Sequence, residues 1–102
     1  MAKFLFTYHG GKRPESKEEG ERVMAQWGAW MGSLGAAMID GGGPAGPSTT
    51  VTAKGVETNG GANPVSGYSM VEAASMDKAV TMAKGCPILD AGTVEITEVL
   101  SM

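Results

Sequence analysis

The sequence is poor in the side chains that most often build metal sites and disulfide bonds. Among 102 residues there is one histidine, His9, and one cysteine, Cys86. A single cysteine excludes an internal disulfide, and one histidine with one distant cysteine matches no zinc-binding pattern. We therefore expect neither a metal nor another cofactor.

Positive charge and long apolar runs are also scarce. The chain has eight Lys and Arg residues and eleven Asp and Glu residues, so its net charge is -3. The basic residues are scattered and form no stripe that could neutralise phosphates. No apolar run approaches the roughly 18 residues of a membrane span. The opening residues, MAKFLFTYHGG, hold too short an apolar stretch for a secretory signal. We expect a cytoplasmic protein that binds neither membranes nor nucleic acid, and its length indicates one domain, residues 1–102.

Glycine, in contrast, is abundant, with 16 residues, several of them within the first predicted helix. Gly28, Gly32 and Gly35 recur every three or four residues and so share one side of that helix. Each costs roughly 1 kcal/mol relative to alanine, and close approach of another backbone can offset this cost through dispersion. The Gly41–Gly43 run matches neither a dinucleotide fingerprint nor a P-loop, and we expect it to let the chain turn after the helix.

Residue patterns predict four main strands and two helices. Alternating aromatics indicate the first strand, Ser16 with Glu19 has the spacing of a capping box, and Met24, Trp27 and Met31 recur at helical spacing. The predicted elements are strand one (Lys3–His9), helix one (about Lys17–Ile39), a loop (Asp40–Pro47), strand two (Ser48–Lys54) with a short return (Val56–Thr58), a turn (Asn59–Pro64), strand three (Gly67–Ala73), helix two (from Ser75 or Asp77 to Gly85) and the last strand (Thr93–Val99).

The predicted order β-α-β-β-α-β is typical of the ferredoxin-like α+β fold. Two helices cover one face of such a sheet. Strands one and three carry apolar or aromatic residues on both faces, so the second face also needs a cover. A second copy of the chain, packed sheet to sheet, supplies that cover in a dimeric α+β barrel, and we expect a homodimer.

The chain resembles the YCII-related proteins, also called the DGPF group. The resemblance rests on KFLFTYHG, on the long helix that ends at GGGPAG, on STTV and GYSMVEA, and on SMDKAVTMAKGCP before TVEITEV. It covers nearly the whole chain and is most specific in the AKGCP segment. It implies a homodimeric α+β barrel with a cleft beside the sheet.

The sequence departs from the catalytic pattern of that family. Members of the founding type carry a histidine in helix one and an aspartate at the end of strand one. Here the helix holds Gln26 and Trp27, strand one ends in Thr7-Tyr8-His9, and the Asp-Gly-Pro-Phe motif is absent. The resemblance therefore transfers no catalytic residue to this chain.

His9 and Asp40 are the candidate catalytic residues. His9 ends strand one beside a Gly-Gly turn, where an imidazole can act as an acid or base near neutral pH, although a hydrogen-bonded structural histidine fits the same position. Asp40 ends helix one at the negative end of its dipole, which is unfavourable for a carboxylate and suggests a partner. The alternative is an ordinary turn aspartate.

Four aromatic side chains are the candidate ligand-binding residues: Tyr8, Trp27, Trp30 and Tyr68. The two tryptophans lie on the apolar stripe of helix one, so packing in the core explains them equally well. Two functions remain open. One is a small cofactor-independent enzyme acting on a small organic molecule in the barrel cleft, with His9 as the acid–base group. The other is a non-catalytic protein that binds a small molecule in the same cleft.

Overall fold

A four-stranded antiparallel sheet with both helices packed on one face forms the body of the molecule. The computed structural model describes residues 1–101, and the sheet order β2-β5-β1-β6 is that of the ferredoxin-like fold, which confirms the predicted α+β class. The elements are β1 (Ala2–Gly10), α1 (Lys17–Leu34), β2 (Met38–Pro44), β3 (Thr50–Thr52), β4 (Gly55–Glu57), β5 (Val65–Ala73), α2 (Met76–Ala83) and β6 (Gly92–Val99), with short 3-10 turns at Gly35–Ala37 and Pro87–Asp90.

Strand β1 lies in the middle of the sheet, between β5 and β6. Its alternation is the one predicted: Phe4, Phe6 and Tyr8 point to the helices and are buried. The ring of Phe6 stacks on Trp30 of α1 at a centroid distance of 6.4 Å. The core therefore lies between β1 and the two helices.

Helix α1 begins as predicted and ends earlier. The Ser16 side chain accepts a hydrogen bond from the Glu19 amide at 3.0 Å and caps the first turn. The helix ends at Leu34, and Gly35 follows with φ +55°, a conformation that favours glycine. The prediction that the helix continues to Ile39 is therefore wrong.

The segment predicted as a loop after helix one is instead an edge strand. Residues Met38–Pro44 form β2, which pairs with β5 through two register shifts. Gly42 has φ +64°, and a Cβ there would collide with the carbonyl oxygen of Tyr68. The glycine run thus lets an irregular strand lie close to β5, and it does not simply end a helix.

The segment predicted as strand two pairs outside the main sheet. Only Thr50–Thr52 is extended, and it forms a two-stranded hairpin with Gly55–Glu57. Val51 and Val56, opposite each other in this hairpin, are both exposed. The Thr/Val alternation predicted a strand correctly, but β2 takes its place beside β5.

Helix α2 is short and packs through its alanines. Ser75 caps it by accepting a hydrogen bond from the Lys78 amide at 3.3 Å, and Ala79 and Ala83 are buried. The Trp30 indole Nε1 donates to the Met82 carbonyl oxygen at 3.0 Å and ties α1 to α2.

Gly28, Gly32 and Gly35 do not lie close to another part of the chain within residues 1–101. A Cβ built on Gly28, Gly32 or Gly35 would meet nothing within 4 Å. The expectation that these glycines admit a neighbouring backbone is therefore wrong within the chain.

The second face of the sheet lies open. Leu5, Thr7 and His9 alternate with the buried aromatics of β1 and point to this face, where Met70 and Tyr68 lie opposite Leu5 and Thr7 on β5. The molecule spans only 17 Å along its shortest axis, because one face of the sheet has no covering layer. Among the helices within residues 1–101, none combines the length and apolar character needed to cross a bilayer.

Candidate ligand-binding site

A cavity of about 490 Å³ lies between α1 and the strands β2 and β5. We call it the Trp27 cavity. Trp27, Met24 and Met31 line it from α1, and Gly41–Gly43 and Tyr68 line it from the sheet. Its volume falls within the range of about 300–1,000 Å³ that is usual for small-molecule sites, and its wall is mainly apolar, as in most such sites.

The aromatic wall of this cavity is held in place by edge-to-face packing. The rings of Tyr8 and Trp27 are 5.0 Å apart at 74°, and those of Trp27 and Trp30 are 5.8 Å apart at 86°. Both arrangements match the geometry that aromatic quadrupoles favour. Trp27 is half-buried, so one part of its ring is fixed in the core while another part faces the cavity.

A buried hydrogen-bond chain joins three strands beneath the cavity. The Tyr8 hydroxyl donates to Ser69 Oγ at 2.7 Å, and Ser69 Oγ donates to the Gly41 carbonyl oxygen at 2.9 Å. The chain gives the irregular strand β2 a polar link to β1 and β5. It satisfies polar groups that would be costly to bury alone.

Two weak acids meet at the inner end of this chain. Burial raises the pKa of the Tyr8 phenol well above its ordinary value of 10.0, and the neighbouring Cys86 raises it further, against the lowering effect of the Ser69 hydrogen bond. Burial also raises the pKa of the Cys86 thiol. Both groups are therefore neutral at physiological pH, and the core around them is uncharged.

A second cavity of about 420 Å³ adjoins the first. We call it the loop cavity, because Gly11, Lys12 and Arg13 of the loop after β1 line it, together with Gly10 and Asp90. The two cavities share five lining residues: Val23, Trp27, Pro44, Ser66 and Ile88. One wall is therefore common to an apolar compartment and a charged compartment.

Ser66 occupies an unusual position in that shared wall. Tyr8 lies opposite Gly67 and His9 lies opposite Val65, so Ser66 is the extra residue of a β-bulge. Its Oγ is buried and has no hydrogen-bond partner within residues 1–101. The bulge places Ser66 in the lining of both cavities.

His9 lies on the opposite, open face of the sheet and is 7% exposed. Its Nδ1 is 3.1 Å from the Asn63 carbonyl oxygen and 3.2 Å from that of Pro64, and its Nε2 is 3.2 Å from Glu95 Oε1. Thr7 Oγ1 also donates to Glu95 Oε1, at 3.4 Å. Sequence reasoning missed Glu95, although the alternation of TVEITEV indicates that it shares a face with Thr97.

The structure does not bring Asp40 to His9. Asp40 pairs with Met70, and Met70 pairs with Leu5, so Asp40 lies two strands away from β1 and four residues along it from His9. Strand spacings put the two residues on the order of 15 Å apart. Asp40 Oδ1 instead accepts a hydrogen bond from the Gly42 amide at 2.8 Å, which is an Asx turn within β2.

Three of the four predicted ligand-binding aromatics line the Trp27 cavity. These are Tyr8, Trp27 and Tyr68. Tyr68 is 44% exposed; it lies opposite Thr7, so its side chain is on the open side of the sheet, and its ring lies beside Gly42 at the sheet edge. Trp30 lies in the core, 7% exposed, and is not among the residues that line either cavity.

The cavities contain no evident metal site. Within residues 1–101, no group of three or more His, Cys, Asp or Glu side chains is placed to hold a metal ion. The side chains around the Trp27 cavity instead offer ring faces, thioethers and hydroxyl groups, which suit an organic molecule.

Comparison with known proteins agrees with the predicted resemblance. The family model described as YCII-related domain matches residues 4–102. Among curated proteins, no significant match is found. The match spans nearly the whole chain and includes both helices, β2, β5 and β6, and β1 from Phe4 onward. The chain therefore belongs to the YCII-related family.

Proposed function

We propose that this YCII-related protein binds a small, largely apolar organic molecule in the Trp27 cavity. The observation that carries the proposal is a ligand-sized cavity whose aromatic wall is already fixed before any ligand enters. A preformed wall avoids the ordering cost that a flexible site incurs on binding. Family membership alone assigns no particular activity, so the proposal rests on this geometry.

The glycines of β2 and α1 support the proposal because they widen the cavity. Gly28, Gly41, Gly42 and Gly43 line it. A Cβ on Gly28 would meet nothing within 4 Å, so a larger side chain there would occupy cavity space without colliding with the protein. Helix propensity alone favours a larger residue at Gly28, so the cavity explains a glycine that packing does not require.

A matched pair of helix variants tests the site. Gly28→Leu fills the cavity from α1, whereas Gly32→Leu adds the same side chain on the same helix outside the cavity lining. The probe is the neutral compound 4-phenylbutanol, titrated against ¹⁵N-labelled protein. We expect shifts at the Trp27 indole and Gly41–Gly43 amides in the wild type and in Gly32→Leu, and none in Gly28→Leu. Equal binding to all three proteins, or no binding to the wild type, would contradict the proposal.

We also propose that the protein acts as a homodimer whose open sheet faces pack together into an α+β barrel. The open face carries half-buried Leu5 and Met70 at its centre and exposed Tyr68 and Val99 around them. Apolar groups on a sheet face with no covering layer favour association with a second apolar surface.

The free, buried thiol of Cys86 is compatible with the reducing cytoplasm, where we propose that the protein resides.

Acid–base catalysis by His9 is the second candidate function. The observation that favours it is the carboxylate of Glu95 at 3.2 Å from Nε2. Because Nδ1 is held by the Asn63 and Pro64 carbonyl oxygens, Nε2 and the Glu95 carboxylate form the pair that would exchange a proton with a substrate. In this proposal Glu95, and not Asp40, is the partner of His9. Because His9 faces away from the Trp27 cavity, the substrate would lie between the two sheets of the dimer. Retention of 4-phenylbutanol binding by His9→Leu would separate this site from the cavity.

A further inference from the structure

We infer that the molecule bound in the Trp27 cavity carries an anionic group, such as a carboxylate, which lies in the adjoining loop cavity against Arg13 and Ser66. The inference rests on the proposed function, since the apolar part of the same molecule must occupy the Trp27 cavity. The proposed ligand is therefore amphipathic, with an apolar part for the Trp27 cavity and a charged end for the loop cavity.

The contrast between the two cavities is the first observation. The Trp27 cavity is lined by aromatic rings, thioethers and glycines, whereas Lys12, Arg13 and Asp90 line the loop cavity. Because Trp27 and Ser66 belong to both linings, a single molecule can extend from one compartment into the other. The apolar part of the ligand would be buried against Trp27. Its polar end would remain in contact with the charged side chains of the loop cavity, which avoids the cost of burying it without a partner.

The charges around the loop cavity favour an anion. Two cationic side chains, Lys12 and Arg13, line it against one carboxylate, Asp90. Lys12 Nζ also lies 3.6 Å from Glu15 Oε1, a solvent-exposed pair of low strength. Arg13 forms no ion pair within residues 1–101, and its planar guanidinium matches a carboxylate with two parallel hydrogen bonds.

The net charge of the chain makes this preference informative. At -3, the protein as a whole repels anions. Preferential binding of an anionic molecule therefore requires a local positive site and does not follow from general electrostatic attraction. Arg13 and Lys12 supply such a site beside the apolar compartment.

The Ser66 hydroxyl is the second, independent observation. A buried polar group without a partner is rare in folded proteins and calls for a specific explanation. The Ser66 side chain stands on a bulge in the wall shared by the two cavities. Serine moves among three staggered rotamers, so its hydroxyl can turn to donate a hydrogen bond to a carboxylate oxygen of the ligand.

The test compares two probes that differ only in their head group, 4-phenylbutyrate and 4-phenylbutanol, in NMR titrations at pH 7.5. We expect the carboxylate to bind about three- to tenfold more tightly than the alcohol, as one charge-assisted hydrogen-bonded contact predicts. Added salt should reduce that preference because the loop cavity is open to solvent.

Matched arginine variants locate the source of the preference. Arg13→Gln should remove the preference for the carboxylate and leave alcohol binding unchanged, whereas Arg22→Gln, with the same charge change on α1, should keep it. Ser66→Ala should reduce the preference in part. Equal affinity of the two probes for the wild type, or an equal loss of the preference in both arginine variants, would overturn the inference while leaving the proposed function intact. Failure of both probes to bind would overturn the two together.

Discussion

The imidazole of His9 connects Glu95 of β6 to the segment that precedes β5. Its Nε2 lies 3.2 Å from Glu95 Oε1 and its Nδ1 lies 3.1 Å from the Asn63 carbonyl oxygen. A carbonyl oxygen only accepts hydrogen bonds, so we assign a proton to Nδ1. His9 thus fastens residues 63–64 to the sheet by two opposed contacts.

Removal of the His9 ring should loosen the segment before β5. His9→Leu deletes the hydrogen-bond donor to the Asn63 and Pro64 carbonyl oxygens and replaces the ring with an apolar side chain of similar size. We expect faster amide hydrogen exchange in residues 59–66 and a loss of about 1 kcal/mol in the free energy of unfolding, the usual value of a hydrogen bond. The α2 amides serve as the internal control. Unchanged exchange in residues 59–66 would show that the contacts of His9 do not hold this segment.

Stability should fall at alkaline pH because of Tyr8 and Cys86. Burial raises the pKa of both groups, so the folded state keeps protons that the unfolded chain releases above about pH 9. Their contribution is therefore complete below pH 9 and is lost progressively as the pH rises. Urea denaturation between pH 7 and 11 measures it. A free energy of unfolding that stays constant to pH 11 would contradict the assignment.

Two tyrosine variants separate the buried phenol from the exposed one. Tyr8→Phe breaks the hydrogen bond to Ser69 and should cost about 1 kcal/mol at pH 7, but the remaining loss of stability with rising pH should be smaller than in the wild type. Tyr68→Phe, at a position that is 44% exposed, should leave both the stability at pH 7 and its pH dependence unchanged. Identical behaviour of the two variants would place the alkaline transition elsewhere.

Alanine should have opposite effects at two glycines near the end of α1. Gly32→Ala enters open space on a helix and should raise the free energy of unfolding by about 0.5–1 kcal/mol. Gly35→Ala also meets open space, but its φ of +55° is unfavourable for alanine, so that variant should be less stable than the wild type. Thermal melts of the pair measure both effects. Destabilisation by Gly32→Ala would mean that another chain approaches this side of the helix.

Light scattering tests the proposed dimer. At micromolar concentration we expect about twice the chain mass of 10.4 kDa. Met70→Lys places a charge at the centre of the open sheet face and should shift the protein toward monomer, because burial of an unpaired charge is costly. Leu89→Lys, at an exposed position in the turn before β6, is the control and should remain dimeric. A monomeric wild type would contradict the proposal.

The lining of the Trp27 cavity could be predicted only in part from the sequence. The helical spacing of Trp27 and Trp30 identified the stripe on α1, yet it could not separate the ring that lines a cavity from the ring that lies in the core. That difference depends on α2, whose Met82 carbonyl oxygen accepts the hydrogen bond of the Trp30 indole. Likewise, no sequence pattern predicts that Ser66 lines a cavity, because its position depends on the bulge opposite Tyr8 and His9.

The sequence by itself determined the class of fold and most of its elements. The alternation of Phe4, Phe6 and Tyr8 and the caps at Ser16 and Ser75 depend on near neighbours in the chain, so their periodicity and spacing predict them directly. Only the tertiary structure decided that Met38–Pro44 is a strand, because the edge of β5 that pairs with it exists only after the sheet forms. For the same reason His9 meets Glu95 instead of Asp40: antiparallel pairing of β1 with β6 brings together residues from opposite ends of the chain.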